Sequence, residues 1–196
     1  MKKTIFAALF LVFGTGCYAQ TESTASTVEM KEQPMNNIIK LSGNVGALTS
    51  KIIDGYSTTE NAFVSGFSFD YAHVGKNSMG FGINLSRNYI SVAEYAVYYI
   101  GGSFVIARTT NKGWRWEVLA GLGYAHSGIK ISGSEDGIGL LTSAGITYKL
   151  DKHWGIGADI RAMSMRYSEP DGWDSEKNGA FGTRHFDLSA GIRYFF

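Results

Sequence analysis

Cysteine and proline are scarce in this sequence, which holds 1 Cys and 2 Pro among 196 residues. Cys17 lies in the N-terminal segment, so a chain cleaved after Ala19 would carry no disulfide and no thiol chemistry. Glycine and aromatic residues are plentiful by contrast, with 25 Gly, 12 Phe and 11 Tyr. That composition suits a domain of many close-packed strands bordered by aromatic rings.

A long internal hydrophobic run and a strong excess of one charge are also missing. No segment after the N-terminus is apolar for long enough to form a spanning helix. Without Lys2 and Lys3 the 18 basic residues fall to 16 against 17 acidic ones, a formal charge of −1. Such a chain has no polybasic footprint, and nucleic acid is not an expected partner. The four His are scattered and no phosphate-binding glycine loop is present, so we expect no metal and no cofactor.

The N-terminus has the form of an export signal. Lys2 and Lys3 precede an apolar stretch from Ile5 to Phe13, and small residues follow at Cys17 and Ala19. This pattern predicts a signal peptide over residues 1–19 that is removed on export. An alternative is that Cys17 is a lipoprotein acceptor. Residues 20–37 are polar and lack sustained periodicity, which predicts a flexible periplasmic lead-in before a barrel domain at 38–196.

Strand-like alternation then recurs to the end of the chain. In the last stretch, Phe186, Leu188 and Ile192 share one face with Tyr194 and Phe196, and polar residues occupy the other. Eight such stretches are predicted: Ile38–Thr49, Asn61–Ala72, Met79–Arg87, Glu94–Ala107, Trp114–His126, Ile138–Leu150, Trp154–Arg166 and His185–Phe196.

The connections between these strands alternate in length. Strands two and three, four and five, and six and seven are joined by short turns. The other connections are mostly longer and polar: Ser50–Glu60, Asn88–Ala93, Ser127–Gly137 and Tyr167–Thr183. Short periplasmic turns with longer extracellular loops are typical of a barrel in the outer membrane of a Gram-negative envelope. We therefore predict an all-β, eight-stranded antiparallel up-and-down transmembrane β-barrel with both termini in the periplasm. Closure is required because an open sheet edge in hydrocarbon leaves backbone groups unpaired.

The final residues resemble an assembly signal. The order Ser189-x-Gly191-x-x-Tyr194-x-Phe196 is similar to the C-terminal pattern by which the outer-membrane insertion machinery recognises barrel clients. With this ending and the predicted architecture, the chain from about Ile38 resembles the small porin-like barrels of the OmpA/OmpX type. The resemblance implies an integral outer-membrane protein that contacts lipid and lipopolysaccharide. It also implies periplasmic chaperones and the insertion machinery as partners during assembly.

Ionisable residues at inward-facing strand positions form the first candidate site. Eight strands leave an interior just wide enough for side chains to fill, and an unpaired charge there would be costly. We predict an interior network of ion pairs, with an ion path lined by the same groups as the alternative. The predicted members are Lys40, Asp70, Arg115, Glu117, Lys149, Asp159, Arg161, Asp187 and Arg193.

Two histidines support a different hypothesis. His126, next to Ser127, and His185, two residues before Asp187, are predicted near the outer rim. Some small barrels are enzymes that modify the acyl chains of lipopolysaccharide with a His, a Ser and an acidic group at that height. The chemistry needs a base within hydrogen-bond reach of a hydroxyl. Because adjacent residues of a strand point to opposite faces, His126 and Ser127 are a poor pair unless the strand has ended.

The last candidate site is the longest predicted loop, Tyr167–Thr183. The loop is either simply solvated or a surface for an unknown partner. In the second case it would contact a partner, a host surface or Ca²⁺-bridged lipopolysaccharide through Trp173, Glu169, Asp171, Asp174 and Glu176.

The favoured function is non-enzymatic: envelope structure or surface interaction through four extracellular loops, around a filled polar interior. A lipopolysaccharide-modifying enzyme and a narrow channel are the alternatives.

Overall fold

The computed structural model describes residues 36–49, 52–54, 57–59, 62–91, 95–129, 133–168 and 181–196. The predicted signal peptide and residues 20–35 of the predicted lead-in lie outside them. Ten strands are present in these ranges: β1 (Asn36–Leu48), β2 (Ile52–Asp54), β3 (Ser57–Thr59), β4 (Phe63–Val74), β5 (Met79–Ile90), β6 (Tyr95–Thr109), β7 (Trp114–Ile129), β8 (Gly133–Lys149), β9 (Trp154–Tyr167) and β10 (Gly182–Phe195).

Eight of these strands form a closed antiparallel barrel in the order β1-β10-β9-β8-β7-β6-β5-β4. The ring closes where β1 pairs with β10, from Ile38 opposite Phe195 to Leu48 opposite His185. The predicted all-β, eight-stranded antiparallel barrel is therefore confirmed. Strands β2 and β3 form a separate two-stranded sheet in the connection between β1 and β4.

Side chains alternate between the two faces of each barrel strand, as the sequence pattern predicts. Strand β5 is the clearest case, with every second residue buried from Gly80 to Ile90 and the others exposed. Since the barrel encloses its inward positions, the buried residues include polar and charged ones, and the exposed residues are mostly large and apolar. Within the described residues, no helix is long and apolar enough to cross a membrane.

The two rims of the barrel differ. One rim, which we call the turn rim, carries the β4–β5, β6–β7 and β8–β9 turns and the first residue of β1. Ser78 and Gly113 adopt positive φ angles of 66° and 81° in the first two of these turns. The opposite rim, the loop rim, carries the remaining connections between barrel strands.

The structure corrects several predicted boundaries at the loop rim. The predicted loop 127–137 is wrong, because β7 and β8 stay paired as far as Ile129 opposite Gly133. Glycine and serine there suggested a loop, but they do not prevent backbone pairing once a neighbouring strand is in register. Similarly, β5 continues to Ile90, β10 begins at Gly182, and the predicted first loop contains β2 and β3.

Asp151 organises the β8–β9 turn and provides a pH test. Its Oδ1 accepts hydrogen bonds from the backbone N–H groups of Trp154 and His153, each 2.7 Å long, and they lower the pKa of its carboxyl. A depressed pKa means that the contact stabilises the turn above the ordinary aspartate pKa and is lost as the pH falls through the lowered value. We expect an NMR titration of the Trp154 amide to show a midpoint below that of an ordinary aspartate. Asp151→Asn should remove the titration, and a wild-type midpoint at or above the ordinary value would contradict this account.

Candidate functional site in the barrel interior

The interior holds as many buried cations as buried anions. Among the described residues, the buried side chains include four Lys or Arg and four Asp or Glu. These are Lys40, Arg115, Arg161 and Arg193, with Asp70, Glu117, Asp159 and Asp187. With histidine neutral, their formal charges sum to zero, as expected where each unpaired charge would carry a large desolvation cost.

Glu117 joins two cations at the centre of this group. Lys40 Nζ donates to Glu117 Oε1, and Arg115 Nη2 donates to Oε2 over 3.2 Å. Lys40 lies on β1 and Glu117 on β7, and these strands are four places apart in the ring of eight. The contact therefore crosses the full width of the barrel.

Asp159 extends the same network around the wall. It accepts a hydrogen bond from Arg193, and its Oδ1 lies 3.7 Å from Lys40 Nζ. Arg193 Nη1 also donates to Ser42 Oγ over 2.7 Å. Glycine makes room for the carboxylate, since a Cβ at Gly145 would collide with Asp159 Oδ1.

A second ion pair joins Asp70 of β4 to Arg161 of β9, with 3.4 Å between Oδ2 and Nη1. Asn84 Nδ2 donates to the other carboxylate oxygen over 2.9 Å. Both oxygens of Asp70 thus have a donor, which compensates for the loss of their hydration.

Nearer the loop rim, His185, Asp187 and Asn88 form a cluster of their own. His185 Nε2 lies 3.4 Å from Asp187 Oδ2 and 3.0 Å from Asn88 Nδ2. Asn88 Nδ2 also lies 3.3 Å from Asp187 Oδ2. His185 is 1% exposed, so it faces the interior of the barrel and is closed off from both the membrane side and the solvent.

Lys149, like Asp187, is a predicted network member that the structure places apart from the ion pairs around Glu117. It is only partly buried at the turn-rim end of β8, with Nζ 4.2 Å from the centre of the Phe195 ring. Lys149 occupies an inward-facing strand position, as predicted, but it lies at the end of the barrel, where its ammonium meets the Phe195 ring. A cation over a ring face is a favourable contact that needs no carboxylate.

His126 is placed on the outer face of the barrel. Its Nδ1 lies 2.7 Å from Asp136 Oδ1, and Tyr124 donates its hydroxyl hydrogen to the same oxygen. Ser127 points into the interior instead, where its Oγ donates to the Glu135 carbonyl over 3.3 Å. The strand has not ended at this point, so the structure does not bring His126 and Ser127 together.

The residues of the predicted assembly signal lie along β10 and just past its end. Ser189 is buried, Gly191 is packed closely against the β1 backbone, and Tyr194 and Phe196 stack with ring centres 5.9 Å apart. The Phe196 and Asn37 backbones exchange two hydrogen bonds of 3.1 Å. The predicted signal therefore coincides with the seam that closes the barrel.

The predicted surface-contact residues at 169–176 lie outside the described residues, and their role stays a prediction. Sequence reasoning missed two residues that the structure makes prominent. Asn88 falls in a predicted loop but is buried in the interior, and Arg87 ends a predicted strand without an assigned face although it is an exposed cation. Continuing the alternation of β5 for two residues past Ser86 identifies both. In the described part of the chain, no group of three or more His, Cys, Asp or Glu could hold a metal ion.

Comparison with known proteins gives structural matches only. No family model matches the sequence, and no curated protein matches it. Among solved structures, neisserial surface protein A (NspA) is 18% identical with a TM-score of 0.62, over 82% of this chain and 97% of that chain. Weaker matches are Ail of Yersinia pestis (19% identity, TM-score 0.46, 82% and 99% of the two chains) and OprG of Pseudomonas aeruginosa (11%, 0.45, 85% and 98%). The likeness to NspA, with the closed ring of eight strands, establishes that this chain has the fold of the small outer-membrane β-barrels of the OmpA/OmpX type.

Proposed function

We propose that the protein is an integral outer-membrane barrel with a filled interior, without enzymatic activity, that serves envelope structure or surface interaction through its loop rim. The termini and the turn rim would face the periplasm. Lipid and lipopolysaccharide would surround it, and chaperones and the insertion machinery would act on it during assembly.

The outward surface supports the membrane location. Every barrel strand exposes at least one large apolar residue, with 40% to 64% of its surface accessible, at Leu41, Phe69, Ile83, Ile100, Leu122, Leu140, Ile160 and Leu188. A continuous apolar belt of this kind would promote aggregation in water, and it matches the lipid-facing band of a membrane barrel. Aromatic pairs lie at the turn rim, such as Trp114 with Tyr148 and Trp154 with Tyr194, each with ring centres 4.9 Å apart.

The contact between Lys40 and Glu117 carries the proposal of a filled interior. It spans opposite walls of the barrel, and Arg115 and Arg193 fill the space beside it with side chains that are at most 2% exposed. An open water path would leave these groups accessible. We therefore assign the charges to holding the barrel together.

Reconstitution in planar bilayers tests the filled interior. We expect no reproducible single-channel conductance from the purified protein, whereas a large porin inserted by the same procedure should conduct. Regular conductance steps that disappear after heat unfolding would favour the narrow channel.

Fractionation of cells should recover the protein with the outer membrane, and recovery in the cytoplasm or inner membrane would contradict the proposed location.

The enzyme alternative rests on the 2.7 Å contact between His126 and Asp136, a base held by an acid near the loop rim. The neighbouring hydroxyl of Ser127 is buried on the other face, which argues against nucleophilic catalysis by this pair. Mass analysis of lipopolysaccharide decides between the two functions. An acyl chain altered in a deletion strain, and restored by wild type but not by His126→Ala, would overturn the non-enzymatic proposal.

A further inference from the structure

The outer face of the barrel has a groove on the side where β1, β4 and β5 meet. It is an open depression of about 570 Å³, lined by residues that include Gly43, Val45, Phe67, Arg87 and Tyr89. Gly43, Phe67 and Arg87 are direct neighbours across the three strands. A Cβ added at Gly43 would meet no atom within 4 Å, so a larger side chain at this position would project into the groove.

Arg87 supplies a cation at the edge of this groove. It is exposed at an outward strand position, and its guanidinium carbon lies 5.6 Å from the centre of the Tyr98 ring. The interior arginines Arg115, Arg161 and Arg193 each pair with a carboxylate. Among the described residues, Arg87 has no such ion pair. A guanidinium at the headgroup layer of a membrane can pair with an anionic group from outside the chain.

The position of Arg87 along β5 shows how close it lies to the loop rim. Arg87, Tyr98, His126 and Asp136 pair in one row across β5 to β8. Each lies three residues from the loop-rim end of its strand. The row therefore lies close to the loop rim, where rings and polar groups meet the headgroup layer of a membrane.

We propose that this groove binds one phosphorylated lipid of the outer leaflet, with a lipid phosphate on Arg87 and an acyl chain against Gly43 and Phe67. A guanidinium presents parallel N–H donors that match phosphate oxygens, and the apolar floor accommodates hydrocarbon. Arg87 and the groove lie side by side, so a single lipid can place its phosphate on Arg87 and its acyl chain in the groove. The assignment of the leaflet rests on the proposed function, whereas binding itself can be measured on the isolated protein.

Native mass spectrometry of the full chain in a non-ionic detergent tests this site, with bisphosphorylated lipid A as the probe. We expect one lipid to stay bound, and Arg87→Gln to weaken binding roughly tenfold or more through loss of a charge-assisted hydrogen bond. Gly43→Leu should also weaken binding, because its side chain would occupy groove space in which a Cβ meets no atom within 4 Å. Two outward-facing substitutions away from the groove, Arg166→Gln and Ala120→Leu, should leave binding unchanged.

Several outcomes would overturn the site. Equal binding by wild type, Arg87→Gln and Gly43→Leu, with all three barrels folded, would place the lipid elsewhere. Equal binding of lipid A stripped of its phosphates would leave Arg87 without a role, and displacement of the lipid by millimolar inorganic phosphate would indicate a site for free anions. Cell fractionation is independent of these measurements, so a failure of the proposed location and a failure of this site can be told apart.

Discussion

Replacing Glu117 with glutamine is expected to lower the free energy of unfolding by about 3 to 5 kcal/mol, the usual consequence of breaking a buried ion pair. The carboxylate accepts hydrogen bonds from both Lys40 and Arg115. Glutamine preserves the shape but removes the carboxylate that pairs with Arg115, and it leaves Lys40 with Asp159, 3.7 Å away, as its remaining carboxylate partner. Urea unfolding in lipid vesicles, followed by tryptophan fluorescence, measures the change.

A matched control and a second substitution show whether the loss comes from the network. Glu135→Gln makes the same chemical change outside the buried charge group and should stay within about 0.5 kcal/mol of wild type, as surface changes usually do. In the Glu117→Gln background, Lys40→Met removes the ammonium group that has lost its Glu117 partner, and it should restore part of the stability. The coupling between the two sites should reach about 1 to 3 kcal/mol. Additive effects of the two substitutions would contradict a direct ion pair across the barrel.

Deletion of Phe196 is expected to remove most of the folded protein from the outer membrane of growing cells. The proposed reason is recognition, because the terminal ring belongs to the pattern that resembles the assembly signal. The structural contribution of the ring is smaller, since Phe196 is 53% exposed, although its ring stacks with that of Tyr194. Quantitative blotting of outer-membrane fractions measures the effect in cells.

Refolding of the purified chain in detergent separates recognition from stability. The Phe196 deletion should still refold, because β10 keeps its pairing with β1 from Ile38 to Leu48. Phe186→Ala is the control, since it truncates another exposed ring of β10 outside the signal. Equal losses in cells from both variants, or failure of the deletion to refold, would assign Phe196 a structural role only.

Much of the fold could be predicted because its signal is local. Alternation with a period of two is visible within a few residues, and it assigned Lys40, Arg115 and Glu117 to the interior before any partner was known. Strand ends were harder. At Asn88 and Ser127 the composition favours a loop, yet pairing with a neighbouring strand extends β5 and β7 past these residues. A backbone hydrogen bond across strands depends on register, which short stretches of sequence do not encode.

For the candidate site too, some features could be predicted from the sequence and others depend on the tertiary structure. The sequence by itself determined the number of barrel strands, the face of most side chains in the predicted strands and the near balance of inward charges, because these follow from spacing along one chain. Only the tertiary structure decided which charges meet. Lys40 is opposite Arg193 and Asp70 on the adjacent strands, but its ammonium bonds Glu117 on the far wall. Closure brings β1 and β7 within reach of each other, and the height of Lys149 at the turn rim keeps it out of the same network.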